Sequence, residues 1–245
     1  MNKPNYLIMR SQLAEGYHEI NNILLHNIGK QVPSANLLKI GACDGVYDDL
    51  TWAWVSDYSF NVLFIEPIPD RCDHLKTNCV DLRGNITIVQ CAISDENGSV
   101  DMGYIPTEYR GKHTPNGLYV HPALYGMSSI WPPKNGLNGV NDALVFEEIG
   151  VHINVPCRTL QSVLDEHQFL PIDLLSIDTE GHDFIILKQF DFHKYRPYWI
   201  QVELVNISDE DRASAVLYLQ TSGYIVYENG QNGYAVRSDC VDWQN

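Results

Sequence analysis

Apolar positions along this chain follow two rhythms. Compact apolar runs alternate with stretches where apolar residues recur every three or four positions. The runs are ANLLKIGACDG (35–45), a strand leading into a glycine turn, FNVLFIEP (60–67), stopped by Pro67, NITIVQCAIS (85–94), HINVPCRTL (152–160), IDLLSID (172–178) and YWIQVELV (198–205). Each predicts a buried strand. Between them, residues 46–57, 70–82, the segment from Thr159 through Leu164 to His167, 183–190 and 209–221 predict helices, with Thr159 and Ser208 as N-caps. Residues 6–28 carry an apolar stripe at Leu7, Leu13, Tyr17, Ile20, Leu24 and Leu25, which predicts an N-terminal helix ended by Gly29. SVDMGYI (99–105) is expected as an edge strand, and YIVYEN (224–229) with GYAVRS (233–238) as a closing antiparallel hairpin.

Strand and helix alternate for most of the length, and the strands are almost continuously apolar. The expectation is an α/β, Rossmann-like fold, a mainly parallel sheet with helices on both faces. One domain over 1–245 is expected, since no linker or repeat interrupts the alternation. The pattern lapses only at 106–142, rich in Gly, Pro, Asn and Tyr. An irregular segment of that length inside a compact domain is usually a functional lid or a disordered insert. Tyr109, Tyr119, Tyr125 and Trp131 favour a lid, because disordered segments are poor in aromatics.

Charge narrows the partners. A net charge of −15 argues against duplex nucleic acid and against an anionic membrane surface. The 6 cysteines form no C-x-x-C pair and no Cys/His zinc spacing, and most lie in apolar runs, so reduced thiols and a cytoplasmic location are expected. The N-terminus lacks a continuous apolar h-region, and no apolar run approaches a membrane span.

Two strand tips carry candidate chemistry. KIGACDG follows a strand and precedes a helix, so Gly41 and Gly45 would permit a sharp turn and close approach of a ligand. Glu66, 21 residues beyond Gly45 at the tip of the next strand, sits where an acid accepts hydrogen bonds from ribose hydroxyls. The pattern G-x-x-x-G is not the dinucleotide fingerprint, and Asp44, Asp48 and Asp49 would repel a pyrophosphate. A nucleoside bearing positive charge, such as S-adenosylmethionine, suits the turn better; the alternative is a tight turn with solvated acids. Cys91, Ala92 and Ile93 could line an adenine site, whereas Ser94 and Asp95 belong either to that edge or to a turn into Asn97-Gly98.

The second tip is LLSIDTEGHDFIILKQF (174–190), with Asp178, Glu180, His182 and Asp183 in six positions. Asp183 is explained by the dipole of the following helix. The other three cost desolvation unless they pair, bind a ligand or stay wet. An imidazole oriented by a carboxylate is a natural general base for a hydroxyl, and an acid cluster can alternatively ligate a divalent cation. Glu203, at the end of the next strand, could orient His182 or a substrate, or pair a structural arginine.

Four segments in order, IGACDGVY (40–47), FIEPIPDRCDHLKTN (64–78), CAISDENGSV (91–100) and TLQSVLDE…IDLLSIDTEGHD…YWIQVE (159–203), resemble the FkbM-type methyltransferases. The D-x-E-G-H block, Asp178–His182, is the most specific of them, and MSSI (127–130) looks like the family's small Ser-rich segment. The resemblance implies a class I methyltransferase fold, a seven-stranded sheet with a late reversed hairpin. It implies S-adenosylmethionine as donor, S-adenosylhomocysteine as product, and O-methylation, often of sugars or polyketide-like alcohols. His182 matches the candidate catalytic histidine, with Asp178 or Glu203 orienting it. Gly41, Ala42, Asp44, Gly45, Glu66, Pro67, Cys91, Ala92 and Asp178 are the expected cofactor contacts. Glu180, His113, Tyr119, Ser129 and Trp131 are the expected contacts of a small-molecule or glycan acceptor. No metal is expected, and a homo-oligomer is compatible with the sequence. Lys39-Ile40 departs from the acid that many class I enzymes carry just before the first glycine. A nicotinamide-dependent oxidoreductase and a non-catalytic binding protein on the same sheet are the alternatives.

Overall fold

The computed structural model describes residues 6–9, 17–47, 49–130 and 140–244. In chain order the elements are β1 (Tyr6–Met9), α1 (Tyr17–Gln31), β2 (Asn36–Ile40), α2 (Trp52–Asp57), β3 (Asn61–Ile65), α3 (Pro69–Asn78), β4 (Ile86–Val89), β5 (Ala92–Ile93), β6 (Gly98–Tyr104), β7 (Ser129–Ile130), α4 (Val140–Ile149), β8 (Val151–Arg158), α5 (Leu160–His167), β9 (Leu174–Ile177), α6 (Asp183–Leu187), β10 (Trp199–Glu203), α7 (Asp209–Thr221), β11 (Tyr224–Glu228), β12 (Asn232–Arg237) and β13 (Val241–Gln244).

The main sheet has seven strands in the order β11-β12-β10-β9-β2-β3-β4. Its members run parallel except β12, which is antiparallel to both β10 and β11. This is the doubly wound sheet with a reversed hairpin that the apolar runs predict. Period-two alternation divides each strand between two cores. Leu38, Leu63 and Leu175 join Val163 of α5, Leu187 of α6 and Leu219 of α7 on one face. Leu37, Val62 and Leu174 join Leu25 of α1, Val55 of α2 and Leu75 of α3 on the other. Burial on both sides is why these strands read as unbroken apolar runs, each large side chain contributing about 1.5–3 kcal/mol. The caps at Thr159 and Ser208 form as expected, accepting from Ser162 N at 3.3 Å and Asp211 N at 3.1 Å.

Three expectations need correction. The apolar stripe over 6–28 is not one helix: Tyr6–Met9 is a strand paired parallel with Val241–Gln244, and the helix begins at Tyr17. Pairing with a partner more than two hundred residues away leaves no local period. The run 85–94 is likewise two strands. β4 ends at Val89, and Ala92–Ile93 turns into a second sheet of order β5-β8-β6-β7, which also takes the expected edge strand and the 152–160 strand. The segment 106–142, finally, is not uniformly irregular. In its described part Val120 and Leu124 share a small core with Ile105, just before the segment, and with Val145 and Phe146 of α4. These apolar residues are spaced without period because short turns bring them together.

Arg71 fastens this insert to α3. Its guanidinium, 0% exposed, donates to Ile105 O at 2.6 Å, Tyr125 O at 3.0 Å, Thr107 Oγ1 at 2.6 Å and Asp70 Oδ2 at 2.8 Å. It also lies 3.7 Å over the Tyr125 ring. Arg71→Met would strand buried carbonyls, so an equilibrium urea titration should register a loss of about 2–4 kcal/mol. A variant within about 0.5 kcal/mol of the parent would contradict the anchoring role.

Candidate active site

Strand register builds the site. Ile40 pairs with Ile65 on one side and Ile177 on the other, and Ile177 pairs with Val202. The next residue on each strand, Gly41, Glu66, Asp178 and Glu203, therefore emerges at the same level of the carboxyl edge. The chain winds outward from β2 through β3 to β4 and then returns to β9 on the other side. The crevice between β2 and β9 is thus the switch point at which ligands bind in open α/β sheets. A cavity of about 280 Å³ opens there, and Glu66 and His182 both line it.

The glycine turn is held by close contacts. Gly41 has φ +77°, and a Cβ there would fall 1.6 Å from Asp178 O, so neither the backbone angle nor the space admits a side chain. Cys43 adopts a left-handed φ of 48°, with its amide pointed at Glu66. Glu66 Oε2 accepts from Cys43 N at 2.8 Å, and Oε1 accepts from Ile68 N at 2.9 Å. Burial pushes this carboxyl up to about 7, opposed by those two amides. Each oxygen keeps a second lone pair for a ligand hydroxyl.

Of the expected cofactor contacts, Gly41, Ala42, Glu66, Pro67, Cys91, Ala92 and Asp178 line the cavity, joined by Ile93. Asp44 and Gly45 instead shape the turn. Asp44 Oδ1 accepts from Val46 N at 2.9 Å and Tyr47 N at 2.7 Å, and its Oδ2 accepts from Tyr125 Oη at 3.1 Å. A Cβ on Gly45 would meet Leu75 Cδ1 at 2.6 Å, so its glycine serves packing against α3.

The D-x-E-G-H block folds as a strained hinge. Glu180 sits at φ 57° and Gly181 at φ 109°. Asp183, fully buried, closes the hinge by accepting from Thr179 N at 2.9 Å and Gly181 N at 3.0 Å. That is a stronger tie than the helix dipole alone. Glu203 accepts from Asn206 Nδ2 at 3.1 Å, and the same amide donates to Glu180 Oε2 at 2.6 Å. Burial, then repulsion from Asp178 and Asp183, pushes Glu180 up to about 8. Burial, then Asp178, Glu180 and Asp183, pushes Glu203 up to about 10. Oxygens of Asp178, Glu180 and Glu203 converge within 4.8 Å of one another, a spacing that could hold a cation.

His182 Nε2 lies 3.0 Å from Ser94 Oγ, whose hydroxyl donates to Asp95 Oδ1 at 3.0 Å. The contact holds the imidazole ring at the cavity wall. Ser94 is the partner that sequence reasoning left undecided, because a Ser-Asp pair before Asn-Gly also spells a turn.

The insert reaches the cavity through Ala123, Gly126, Met127 and Ser128 rather than through the aromatics expected there. His113 and Tyr119 form a bridge with each other, ring centroids 5.4 Å apart, and do not line the cavity. Ser129 falls on β7 without a described side chain, and Trp131 lies outside the described residues. Small residues in MSSI were the available signal for this wall; aromatic content drew attention away from it.

A profile of the Methyltransferase FkbM domain matches residues 39–226. The chain belongs to this family. S-adenosylmethionine is the cofactor that goes with that membership, and the glycine cradle and the ribose-height carboxylate at Glu66 fit it. Solved structures similar to the chain include Methyltransferase FkbM from Methylobacillus flagellatus KT, at 13% identity and TM-score 0.46, covering 83% of this chain and 44% of that one. The chain thus spans less than half the length of that protein. Precorrin-6y C5,15-methyltransferase from Geobacter metallireducens GS-15 is similar at 12% identity and TM-score 0.41, over 89% of this chain and 86% of that one. No curated protein matches the chain. Among the described residues, no helix is long and apolar enough to cross a membrane.

The raised acids make stability depend on pH. Glu180 and Glu203 hold their protons in the folded chain where the unfolded chain, near the ordinary 4.5, has released them. Their contribution is therefore present below the unfolded value and lost as pH rises through the folded ones. Melting temperature of the ligand-free protein should fall from about pH 5 to about pH 9, and Glu203→Gln should flatten that slope and melt higher than the parent at the alkaline end. Parallel melting curves for the two proteins would contradict the buried-acid assignment.

Proposed function

We propose that this FkbM-family protein is an S-adenosylmethionine-dependent O-methyltransferase acting on a hydroxyl of a sugar, glycan or small alcohol, with His182 as general base. The observation that supports it most is the common cavity lined by a carboxylate, Glu66, just past β3, and an imidazole, His182, in the loop after β9, on either side of β2. Family membership favours methyl transfer over nicotinamide chemistry and over a non-catalytic module.

When bound, the donor supplies a methyl group already activated on a sulfonium. The chain must then hold the acceptor oxygen in line, exclude water and take the oxygen's proton. His182 suits the last task, because it lines the cavity and Ser94 holds its ring in place. Asp178, just past β9, or Glu203, at the end of β10, would orient the imidazole. Glu180 would shape the acceptor side through Asn206. A cationic donor would ease Glu180 and Glu203 toward ionisation and its neutral product would not, which would aid release. Met127 and Ser128 of the insert would border the acceptor.

A screen of labelled methyl transfer from S-adenosylmethionine to simple sugars, glycans and small alcohols should yield an O-methylated product. His182→Gln should lower kcat about 10²–10⁴-fold on that acceptor while donor affinity stays within a few fold. Full turnover by the variant at saturating acceptor would refute the base assignment.

A further inference from the structure

The floor of the cavity holds a polar pair that neither the ribose site nor the base explains. Lys39 occupies the position where many class I enzymes carry an acid. It is paired in register with Ser176 across β2 and β9, and its Nζ donates to Ser176 Oγ at 3.3 Å. The same Nζ lies 3.4 Å from Asp49 Oδ1, with both side chains almost wholly buried at 4% and 3% exposure. Asp49 Oδ1 is crowded, accepting also from Thr51 N and Thr51 Oγ1 at 2.7 Å each. Asp49 Oδ2 is buried and has no partner at all. Thr179 Oγ1 is a second buried polar atom without one. Lys39, Asp49 and Thr179 all line the cavity.

A carboxylate satisfied on one oxygen and orphaned on the other carries an uncompensated desolvation cost. It is relieved if a ligand brings a donor. Lys39 likewise has a third N–H beyond its two partners. The two residues thus offer one acceptor and one cationic donor side by side, the complement of an amino-acid zwitterion. Glu66 marks the nucleoside end on the β3 side of the crevice. The opposite end of the same ligand then falls over β2 and β9, where Lys39 and Ser176 are.

We propose that Asp49 and Lys39 receive the α-amino-acid end of the methyl donor, Asp49 Oδ2 taking the ammonium and Lys39 the carboxylate. The acid missing before Gly41 is supplied from the loop that follows the glycine turn, ten residues beyond Lys39. This inference rests on the S-adenosylmethionine reading and deepens it.

Binding calorimetry on the intact protein separates the two. The probes are S-adenosylhomocysteine, its deaminated analogue, its decarboxylated analogue, and 5′-methylthioadenosine, which lacks the amino-acid end. The parent protein should bind both truncated analogues about 10- to 100-fold more weakly than S-adenosylhomocysteine. Asp49→Asn keeps an acceptor for Thr51. It should weaken S-adenosylhomocysteine by a similar factor, become indifferent to deamination, and hold 5′-methylthioadenosine within about 2-fold of the parent. Lys39→Met should become indifferent to decarboxylation in the same way. If the parent binds 5′-methylthioadenosine and S-adenosylhomocysteine but tolerates deamination, or if Asp49→Asn still discriminates against it, this assignment is overturned while the cofactor reading survives. A parent protein that binds neither nucleoside overturns both.

Discussion

Everything at the carboxyl edge depends on one buried carboxylate gripping two backbone amides. Glu66 accepts from Cys43 N and Ile68 N. It thereby joins the turn after β2 to the entry of α3, and so fixes the spacing between the first and second strand tips. The contact is possible only because Gly41 lets β2 run against Asp178 O. Cys43, in turn, accepts a left-handed backbone that aims its amide at Glu66. The carboxylate is therefore a structural brace and, through its remaining lone pairs, an acceptor poised for hydroxyls.

Around that brace the molecule gathers buried acids, two of which hold their protons at neutral pH. Asp178, Glu180 and Glu203 converge, and Glu180 and Glu203 sit well above the ordinary carboxylate range because burial and mutual repulsion outweigh the amide of Asn206. A positive ligand entering such a site lowers the cost of ionising these groups. The same reasoning links the orphaned oxygen of Asp49 to an ammonium. Charge complementarity, more than any single contact, ties the geometry to a sulfonium donor.

The architecture was readable where local pattern and tertiary burial agree. Doubly buried strands such as Leu174–Ile177 announce themselves as apolar runs, and Gly41, Glu66, Asp178 and His182 stand at run ends where a parallel sheet exposes its tips. What stayed hidden required partners distant in sequence. Tyr6–Met9 is a strand only because Val241–Gln244 lies beside it. Arg71 looks like an ordinary helix-surface residue until the carbonyls of Ile105 and Tyr125 close over it. Ser94 gains meaning only from His182, 88 positions away. Asp44 and Gly45 sat in a motif with cavity-lining residues yet face the turn and α3, because a motif records chain order and not side-chain direction.

The central claim is that the carboxyl edge of the sheet grips a nucleoside at Glu66, past β3, and presents an acceptor to His182, past β9, across one shared cavity. A crystal structure of the protein with S-adenosylhomocysteine measures this directly. The account predicts ribose hydroxyls within hydrogen-bond distance of the Glu66 carboxylate and the sulfur facing the His182 side of the cavity. A nucleoside seated away from Glu66, or a sulfur turned from His182, would contradict it.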